Sequence, residues 1–247
     1  HMQKKLDEAL SVYGKALSIC EEAGDERGIA NSLDRLAALH IEMEMEEEAI
    51  LYCDRALSFE CVNTNESAKA KIVFIKAVAL QRSDRLSESI ENFRLAVAGF
   101  EESDDKSSLG NCYYEMATSY SATGDYENTI IFFEKAANQY ESIGMKKLQA
   151  EALAALGKTN RRYGLSREAR DKFKESAALF LECDDRGAYA DMLQYIGIME
   201  SELGDAASAM QYLERAVTEY ENLQDEENIA MARSNIQYLK TIQEREN

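Results

Sequence analysis

The sequence contains no proline and only 12 glycines among its 247 residues. Proline breaks helices and sheet ladders, so its absence removes the commonest cause of an interrupted element. Tryptophan is also absent, and the chain has just two histidines. One of them, His1, precedes Met2 and resembles an expression-vector remnant. Together these absences favour continuous helices joined by short turns.

The cysteines give no sign of a disulfide framework. There are five, an odd number, and none forms a C-x-x-C pair. Such usage is typical of reduced thiols and predicts a cytoplasmic protein, with the nucleus as the alternative. The sequence also shows no signal peptide and no apolar run long enough to cross a bilayer.

Acidic residues outnumber basic ones so strongly that the formal net charge is −18 at pH 7. Phosphate backbones and anionic lipid surfaces are bound by clustered cations. This balance therefore argues against nucleic acid and membrane partners. The plainest interpretation of the acidity is solubility, and the alternative is attraction of a basic partner.

One pattern recurs along the chain with a period of 40 residues. It is most regular in 129–137, 169–177 and 209–217, and earlier copies begin at 9, 49 and 89. In most copies a small residue is followed four positions later by a large apolar one, and three further on by alanine or serine. A fixed period of this length indicates stacked helical repeats.

A second helical pattern precedes this motif in each unit. We call the earlier helix of a unit A and the motif-bearing helix B. One A-helix column, read at the period of 40, holds only small residues: Ala37, Ala77, Ala117, Gly157 and Gly197. Small residues at one fixed point allow two helices to cross closely there.

The starts of the A helices also share one position. That position holds a residue whose side chain caps helix N-termini well, namely Asp25, Asn65, Asp105, Asp185 and Asp225, with Met145 as the exception.

The turns between A and B carry a second signal. Gly124, Gly164 and Gly204 supply the left-handed residue expected after a helix. Glu44 and Asp84 replace that glycine, so their turns are either more strained or their helices are set differently.

These columns resemble the tetratricopeptide repeat (TPR) family. In the fifth unit the matching residues are Leu153, Leu156, Gly157, Gly164, Ala169 and Phe173, with Ser176 in place of the last alanine. The unit is longer than the family's usual length of about 34 residues, and the usual proline after helix B is absent. Long units of this kind occur in kinesin light chains, LGN-type adaptors and bacterial regulators. The resemblance implies an all-α solenoid, a right-handed superhelix of antiparallel helix pairs with about 12 helices.

We expect a single TPR array over 3–247. It comprises an unpaired B helix at 3–22, helix pairs at 26–60, 65–101, 105–142, 146–182 and 186–222, and a capping A helix at 226–245. Because arrays more often begin with a complete unit, we expect a fragment of a larger protein. The complementary half-units at the two ends predict a monomer, or weak end-to-end self-association at most.

The sequence carries no recognisable catalytic pattern. It has no P-loop, no dinucleotide glycine pattern and no Cys/His spacing typical of a metal site. His40 lies in an A-helix core column, where a packed side chain is the expected role. We predict a protein that is not an enzyme and that uses no cofactor or metal.

In the TPR architecture the A helices line the concave side of the superhelix. Each residue advances an α-helix by about 100°, so the core-facing positions identify the opposite, groove-facing ones. Applied through the array, this register predicts the following partner-binding groove: Lys71, Phe74, Ile75, Val78, Arg82, Asn111, Tyr114, Thr118, Lys158, Arg161, Arg162, Tyr195 and Ile198.

Two parts of this groove indicate the partner's chemistry. The segment 70–80 is apolar nearly all round, and 158–162 holds three cations within an acidic chain. They predict a protein or peptide ligand with apolar anchors and some acidic groups. A packing alternative remains, in which Phe74 packs against neighbouring helices and Arg161 and Arg162 pair with Glu151 or Glu202.

The expected function is that of a protein-interaction scaffold binding a peptide or partner protein in the groove. One alternative is a peptide-responsive regulatory or sensor module that controls an attached domain. Another is a structural repeat that self-assembles through its ends.

Overall fold

A computed structural model describes the backbone of residues 2–246 and the side chains of residues 5–242 and of Glu244. Asn247, the last residue of the expected array, lies outside the described residues. Every regular element in the described part of the chain is an α-helix, and within each of two compact units most consecutive helices pack against one another. The predicted all-α solenoid of stacked helix pairs is confirmed.

Contacts divide the chain into two compact units, one ending at Phe132 and the other beginning at Phe133. The helices before the boundary are α1 Met2–Ala23, α2 Glu26–Glu42, α3 Glu46–Leu57, α4 Glu60–Asn63, α5 Glu66–Arg82, α6 Leu86–Glu102 and α7 Lys106–Thr123. Helix α8, Tyr126–Ser142, runs across the boundary. The later helices are α9 Lys146–Arg162, α10 Ser166–Glu182, α11 Arg186–Glu202, α12 Ala206–Leu223 and α13 Glu226–Glu246.

The described residues form 13 helices rather than about 12, because the second B helix is interrupted. Helix α3 ends at Leu57, and Phe59 adopts an extended conformation before α4 begins. The Asn63 side chain donates hydrogen bonds to the carbonyls of Leu57 and Phe59, at 2.9 and 3.3 Å. The surrounding run of Ser, Phe, Cys, Val, Asn and Thr has low helix propensity. A side-chain cap can therefore replace helical hydrogen bonds there.

The column of small residues lies in the core, as its role requires. Ala37, Ala77 and Ala117 are fully buried. A Cβ added at Gly197 would come within 2.7 Å of Leu213 Cγ on the partnering B helix. Even one methyl group at Gly197 would therefore force Leu213 or the helix backbone to move, so this crossing is closer than those that accommodate Ala37, Ala77 and Ala117.

The predicted N-caps form as expected. Asp25, Asn65, Asp105, Asp185 and Asp225 each accept a hydrogen bond from the backbone N–H three residues later, whereas Met145 has no side-chain cap. Each cap satisfies an N–H that the first helical turn leaves unpaired.

The turns that lack glycine keep the same backbone conformation as those that have it. Gly124 and Gly204 have φ angles of 78° and 85°, and Glu44 and Asp84 have φ angles of 58° and 60°. A left-handed residue with a side chain costs about 1 kcal/mol relative to the ordinary helical region. The two turns are therefore more strained than those that contain glycine.

Candidate functional site

The predicted groove residues lie on four A helices, α5, α7, α9 and α11. None of the thirteen is fully buried. The exposed ones are Lys71, Arg82, Asn111, Thr118, Lys158, Arg161 and Arg162, and the half-buried ones are Phe74, Ile75, Val78, Tyr114, Tyr195 and Ile198. Eight of them belong to the first unit and five to the second, and each set is described within its own unit.

In the first unit some predicted residues have clear packing roles. The ring of Phe74 lies 5.8 Å from that of Phe93 and 6.3 Å from that of Phe100, both on α6. Arg82 donates a hydrogen bond of 2.8 Å to the carbonyl of Ile41, near the end of α2. Carbonyls near helix ends can accept hydrogen bonds from outside the helix. This contact therefore links the A helices α2 and α5. Phe74 and Arg82 therefore contact neighbouring helices, as the packing alternative expected.

Other residues of the same set leave an accessible surface. Ile75 and Val78 pack against a core cluster that includes Ile41 and Leu80, yet both remain half-exposed. Lys71 is exposed beside them, on the same helix. This face of α5 therefore offers partly exposed apolar atoms with a cation at one end.

Two carboxylates on this face were missed by the sequence analysis. Burial raises the pKa of the Asp34 carboxyl, while Arg35 and Lys71 lower it in part. Its Oδ1 atom is buried without a hydrogen-bond partner in the described part of the chain, next to a cavity of about 310 Å³. Burial also raises the pKa of Glu115, against a hydrogen bond from Gln81.

The repeat pattern of the sequence indicates both buried carboxylates. At the period of 40, Asp34 shares a position with Phe74, and Glu115 shares one with Ile75. An ionisable residue at a position that elsewhere holds a large apolar one indicates a buried carboxylate with a specific environment.

The second unit brings a cation pair onto one aromatic ring. Tyr195 of α11 stacks on Phe173 of α10, with centroids 4.9 Å apart and an interplanar angle of 14°. The Lys158 Nζ lies 5.4 Å from the Tyr195 centroid, and the Arg161 Cζ lies 5.9 Å from it. A cation over an aromatic face gains about 0.5–1 kcal/mol at an exposed site. The ring thus holds two like charges close together.

Only one carboxylate is paired with this cluster among the described residues. The Arg161 Nε lies 3.6 Å from Glu202 Oε1, so the predicted pairing of an arginine with Glu202 occurs. Glu202 is shared, because its other oxygen accepts a 2.7 Å hydrogen bond from Ser166 Oγ. Arg162 is exposed, and within the described residues it forms no hydrogen bond or ion pair. The cluster therefore keeps excess positive charge in a chain of net charge −18.

A small pocket lies on the same face of the second unit. It encloses about 190 Å³, and its lining includes Ile198, Glu202, Asn235 and Tyr238. Asn235 and Tyr238 belong to α13, which the sequence analysis treated only as a cap. Extending the period of 40 by one step places them in the columns of Tyr195 and Ile198. That extension would have found the pocket.

Two side chains of types that often take part in catalysis, His40 and Cys53, are buried in the core. No three His, Cys, Asp or Glu side chains among them are placed to hold a metal ion. The His40 ring is buried, with Nδ1 2.7 Å from the Leu36 carbonyl oxygen and its centroid 4.9 Å from that of Tyr52. Burial raises the pKa of the Cys53 thiol to about 12, which suppresses the reactive thiolate. No helix of the described chain is long and apolar enough to cross a bilayer.

Comparison with known proteins gives a family match and a set of shared folds. The model of the tetratricopeptide repeat family matches residues 111–182. No curated protein sequence matches the chain.

Among solved structures, BtubC (BKLC) from P. vanneervenii has a TM-score of 0.75 at 13% identity, covering 89% of this chain and 92% of its own. A signal transduction ATPase with a tetratricopeptide repeat sensor, from Pyrococcus horikoshii, has a TM-score of 0.79 at 17% identity. That match covers 94% of this chain but only 36% of the ATPase. YrrB, a TPR protein with an unusual peptide-binding site, has a TM-score of 0.61 at 17% identity, covering 89% and 98%. At these identities the likeness concerns the fold.

Proposed function

We propose that this chain, a tetratricopeptide-repeat protein, is an interaction scaffold that binds a peptide or a segment of a partner protein. In either unit the ligand would lie on the exposed face of that unit's A helices, and we call these surfaces the A-helix face. We define it by the thirteen residues predicted from the sequence, together with Asn235 and Tyr238.

A single observation carries this proposal: the A-helix face keeps apolar side chains accessible to solvent. Ile75, Val78, Tyr195 and Ile198 are half-buried, whereas the core-facing residues of the same helices are fully buried. Partly exposed apolar atoms flanked by charges are typical of surfaces that bind peptides. YrrB, which shares this fold, is described as having a peptide-binding site.

Charge narrows the chemistry of the ligand. Lys158, Arg161 and Arg162 carry three positive charges on α9, and of these Arg161 is paired with Glu202. A ligand with acidic side chains would complete the compensation of these charges. Apolar anchors and a few acidic groups together describe the proposed ligand, and the net charge of −18 disfavours nucleic acid and anionic membranes.

A regulatory role is the second candidate. The Pyrococcus horikoshii ATPase contains a tetratricopeptide repeat sensor, and this chain covers 36% of the ATPase's length. In a solenoid each repeat contacts only its neighbours, so small rotations at each repeat add along the array. Ligand binding would then alter the setting of an attached domain.

Self-association through the ends is expected to be weak at most. On α13 the columns that face a B helix in other units hold Arg233 and Gln237, and both are exposed. An incoming B helix would have to desolvate these polar groups. Light scattering should show a monomer at low concentration with little growth at high concentration.

Residence in a reducing compartment such as the cytoplasm is part of the proposal. All five cysteines are free thiols in the described structure. Free thiols persist where glutathione and thioredoxin keep them reduced.

Affinity capture from a cell lysate tests the scaffold role. The wild-type chain is compared with the Lys158→Glu/Arg161→Glu variant, and with Arg167→Glu/Lys172→Glu as a control. The control makes the same change in charge on α10. We expect the first variant to lose partners that both other proteins recover. Equal recovery by all three would refute binding at the basic part of the A-helix face. Circular dichroism must show equal helicity in each.

A further inference from the structure

The pocket on the A-helix face of the second unit has the size of one side chain. It encloses about 190 Å³, below the roughly 300–1,000 Å³ typical of sites for drug-sized ligands and cofactors. Its apolar wall comes from Ile198, Leu213 and Leu239. Leu213 and Leu239 are nearly fully buried, so this wall continues the hydrophobic core.

The rim of the pocket is both polar and aromatic. Tyr238 lines it while exposing 66% of its surface, which is unusual for so large a side chain. Ser201, Glu202 and Asn235 are the other polar residues of the lining. An apolar floor with a few polar groups at its mouth is the usual form of a specific side-chain pocket, because the rim fixes orientation and the floor supplies affinity.

Glu202 connects the pocket to the basic cluster. Its side chain lines the pocket, and its Oε1 lies 3.6 Å from the Arg161 Nε. Lys158 and Arg161 in turn share the ring of Tyr195. The pocket and the cations are therefore separated by about one side chain. A ligand that fills the pocket would have its neighbouring residues beside Arg161.

We infer that this composite site binds a peptide segment carrying an aliphatic side chain for the pocket and an acidic side chain for Lys158 and Arg161. This inference rests on the proposed scaffold function and names the ligand determinants for one part of its surface. A carboxylate from the ligand would compete with Glu202 for Arg161. Because Glu202 also accepts a hydrogen bond from Ser166, it keeps a partner when displaced.

Charge complementarity favours this ligand over a purely apolar one. Two cations held on one ring repel each other, and the carboxylate of Glu202 compensates only one charge. A ligand carboxylate relieves that repulsion, and both cations are exposed and within its reach. The aliphatic side chain adds affinity by removing apolar surface of Ile198 and Tyr238 from water.

Methyl NMR of the full chain gives a direct test. The probes are capped 12-residue peptides that contain one Leu and one Asp, separated by one to four residues in a Gly/Ser/Gln background. The readout is the Ile198 δ1 methyl signal, assigned by its loss in Ile198→Val. The Ile90 methyl, buried in the first unit, is the internal control.

We expect a saturable shift of the Ile198 signal for at least one spacing. Replacing the peptide's Asp by Asn, or its Leu by Ser, should weaken the apparent affinity at least tenfold. In the protein, Asn235→Trp should fill the pocket and abolish the shift, and Lys158→Glu/Arg161→Glu should weaken binding at least tenfold. Ser234→Trp, one residue away and exposed, should leave binding unchanged.

Any of three results would overturn the inference. The first is the absence of a saturable Ile198 shift for every spacing. The second is equal binding of peptides with Asp and with Asn, and the third is equal binding by Asn235→Trp and the wild type. Each result refutes the aliphatic–acidic ligand and leaves the proposed scaffold function standing. The proposed scaffold function is tested separately: binding at the basic part of the A-helix face would fail if charge reversal on α9 and on α10 affected partner capture equally.

Discussion

Gly157 lies so close to Phe173 that a Cβ added to it would come within 2.7 Å of the Phe173 Cε1. Real Cβ atoms do not approach ring carbons at that distance, so the glycine allows α9 and α10 to cross where they do. The Phe173 ring also stacks against the Tyr195 ring, with 4.9 Å between the two centroids. The packing of the repeat thereby sets the position of the aromatic ring that holds Lys158 and Arg161.

Replacing Gly157 by leucine should lower the free energy of unfolding by about 3 kcal/mol, because the extra atoms overpack the crossing against Phe173. Urea denaturation followed by circular dichroism measures the change. Gly187→Ala is the matched control, since a Cβ there meets nothing within 4 Å. Its stability should be unchanged or raised by about 0.5 kcal/mol. Equal stability of Gly157→Leu and the wild type would contradict the close crossing.

Introducing glycine at the two strained turns, Glu44 and Asp84, should stabilise the protein. Glu44→Gly and Asp84→Gly should each raise the free energy of unfolding by about 0.5–1 kcal/mol, since glycine adopts the left-handed conformation without strain. Both side chains are exposed, so little contact is lost. Gly204→Ala, at a φ angle of 85°, should instead lose about 1 kcal/mol. The same urea titration distinguishes these outcomes.

Asp34→Asn should stabilise the protein in a way that depends on pH. Burial raises the folded-state pKa of this carboxyl above its unfolded value, so the folded protein binds the proton more tightly. As the pH rises from the unfolded-state pKa of Asp34 to its higher folded-state pKa, the wild type loses stability. The variant has no carboxyl at this position and does not. The gain should be present at pH 7 and vanish below about pH 4, the ordinary pKa of aspartate. A gain of equal size at pH 7 and pH 3.5 would refute the explanation.

The cysteines should separate into two groups by reactivity. Cys53 and Cys112 are fully buried, and burial raises the pKa of both thiols, that of Cys53 to about 12. Cys20, Cys61 and Cys183 are partly exposed. Titration with a disulfide reagent at pH 8 should therefore modify three thiols quickly and two only on unfolding. Rapid reaction of all five in the folded chain would contradict the buried positions.

The parts of the fold that depend on periodicity could be predicted from the sequence. The small residue at Gly157, the cap at Asp105 and the turn at Gly164 each follow from a position repeated every 40 residues. The break between α3 and α4 could not be predicted in this way. It depends on the Asn63 side chain reaching two carbonyls, a local contact that no repeated column encodes.

The candidate site was predictable only in part, for a related physical reason. Helical register gives the face on which a residue lies, which is how Lys158 and Tyr195 were selected. It does not tell whether a long side chain folds back into the protein, as Phe74 does against Phe93 and as Arg82 does onto the Ile41 carbonyl. Those outcomes depend on the distances between helices.

Site-specific photo-cross-linking tests binding at the A-helix face most directly. A photoreactive amino acid is placed at Thr118 or Arg162, which are exposed on A helices, and at Leu95 or Glu175, which are exposed on B helices. Each labelled chain is irradiated in a cell lysate, and its adducts are resolved by mass spectrometry. We predict adducts from the two A-helix positions and none above background from the two B-helix positions. Equal labelling from both faces, or labelling from the B helices alone, would contradict the proposed function.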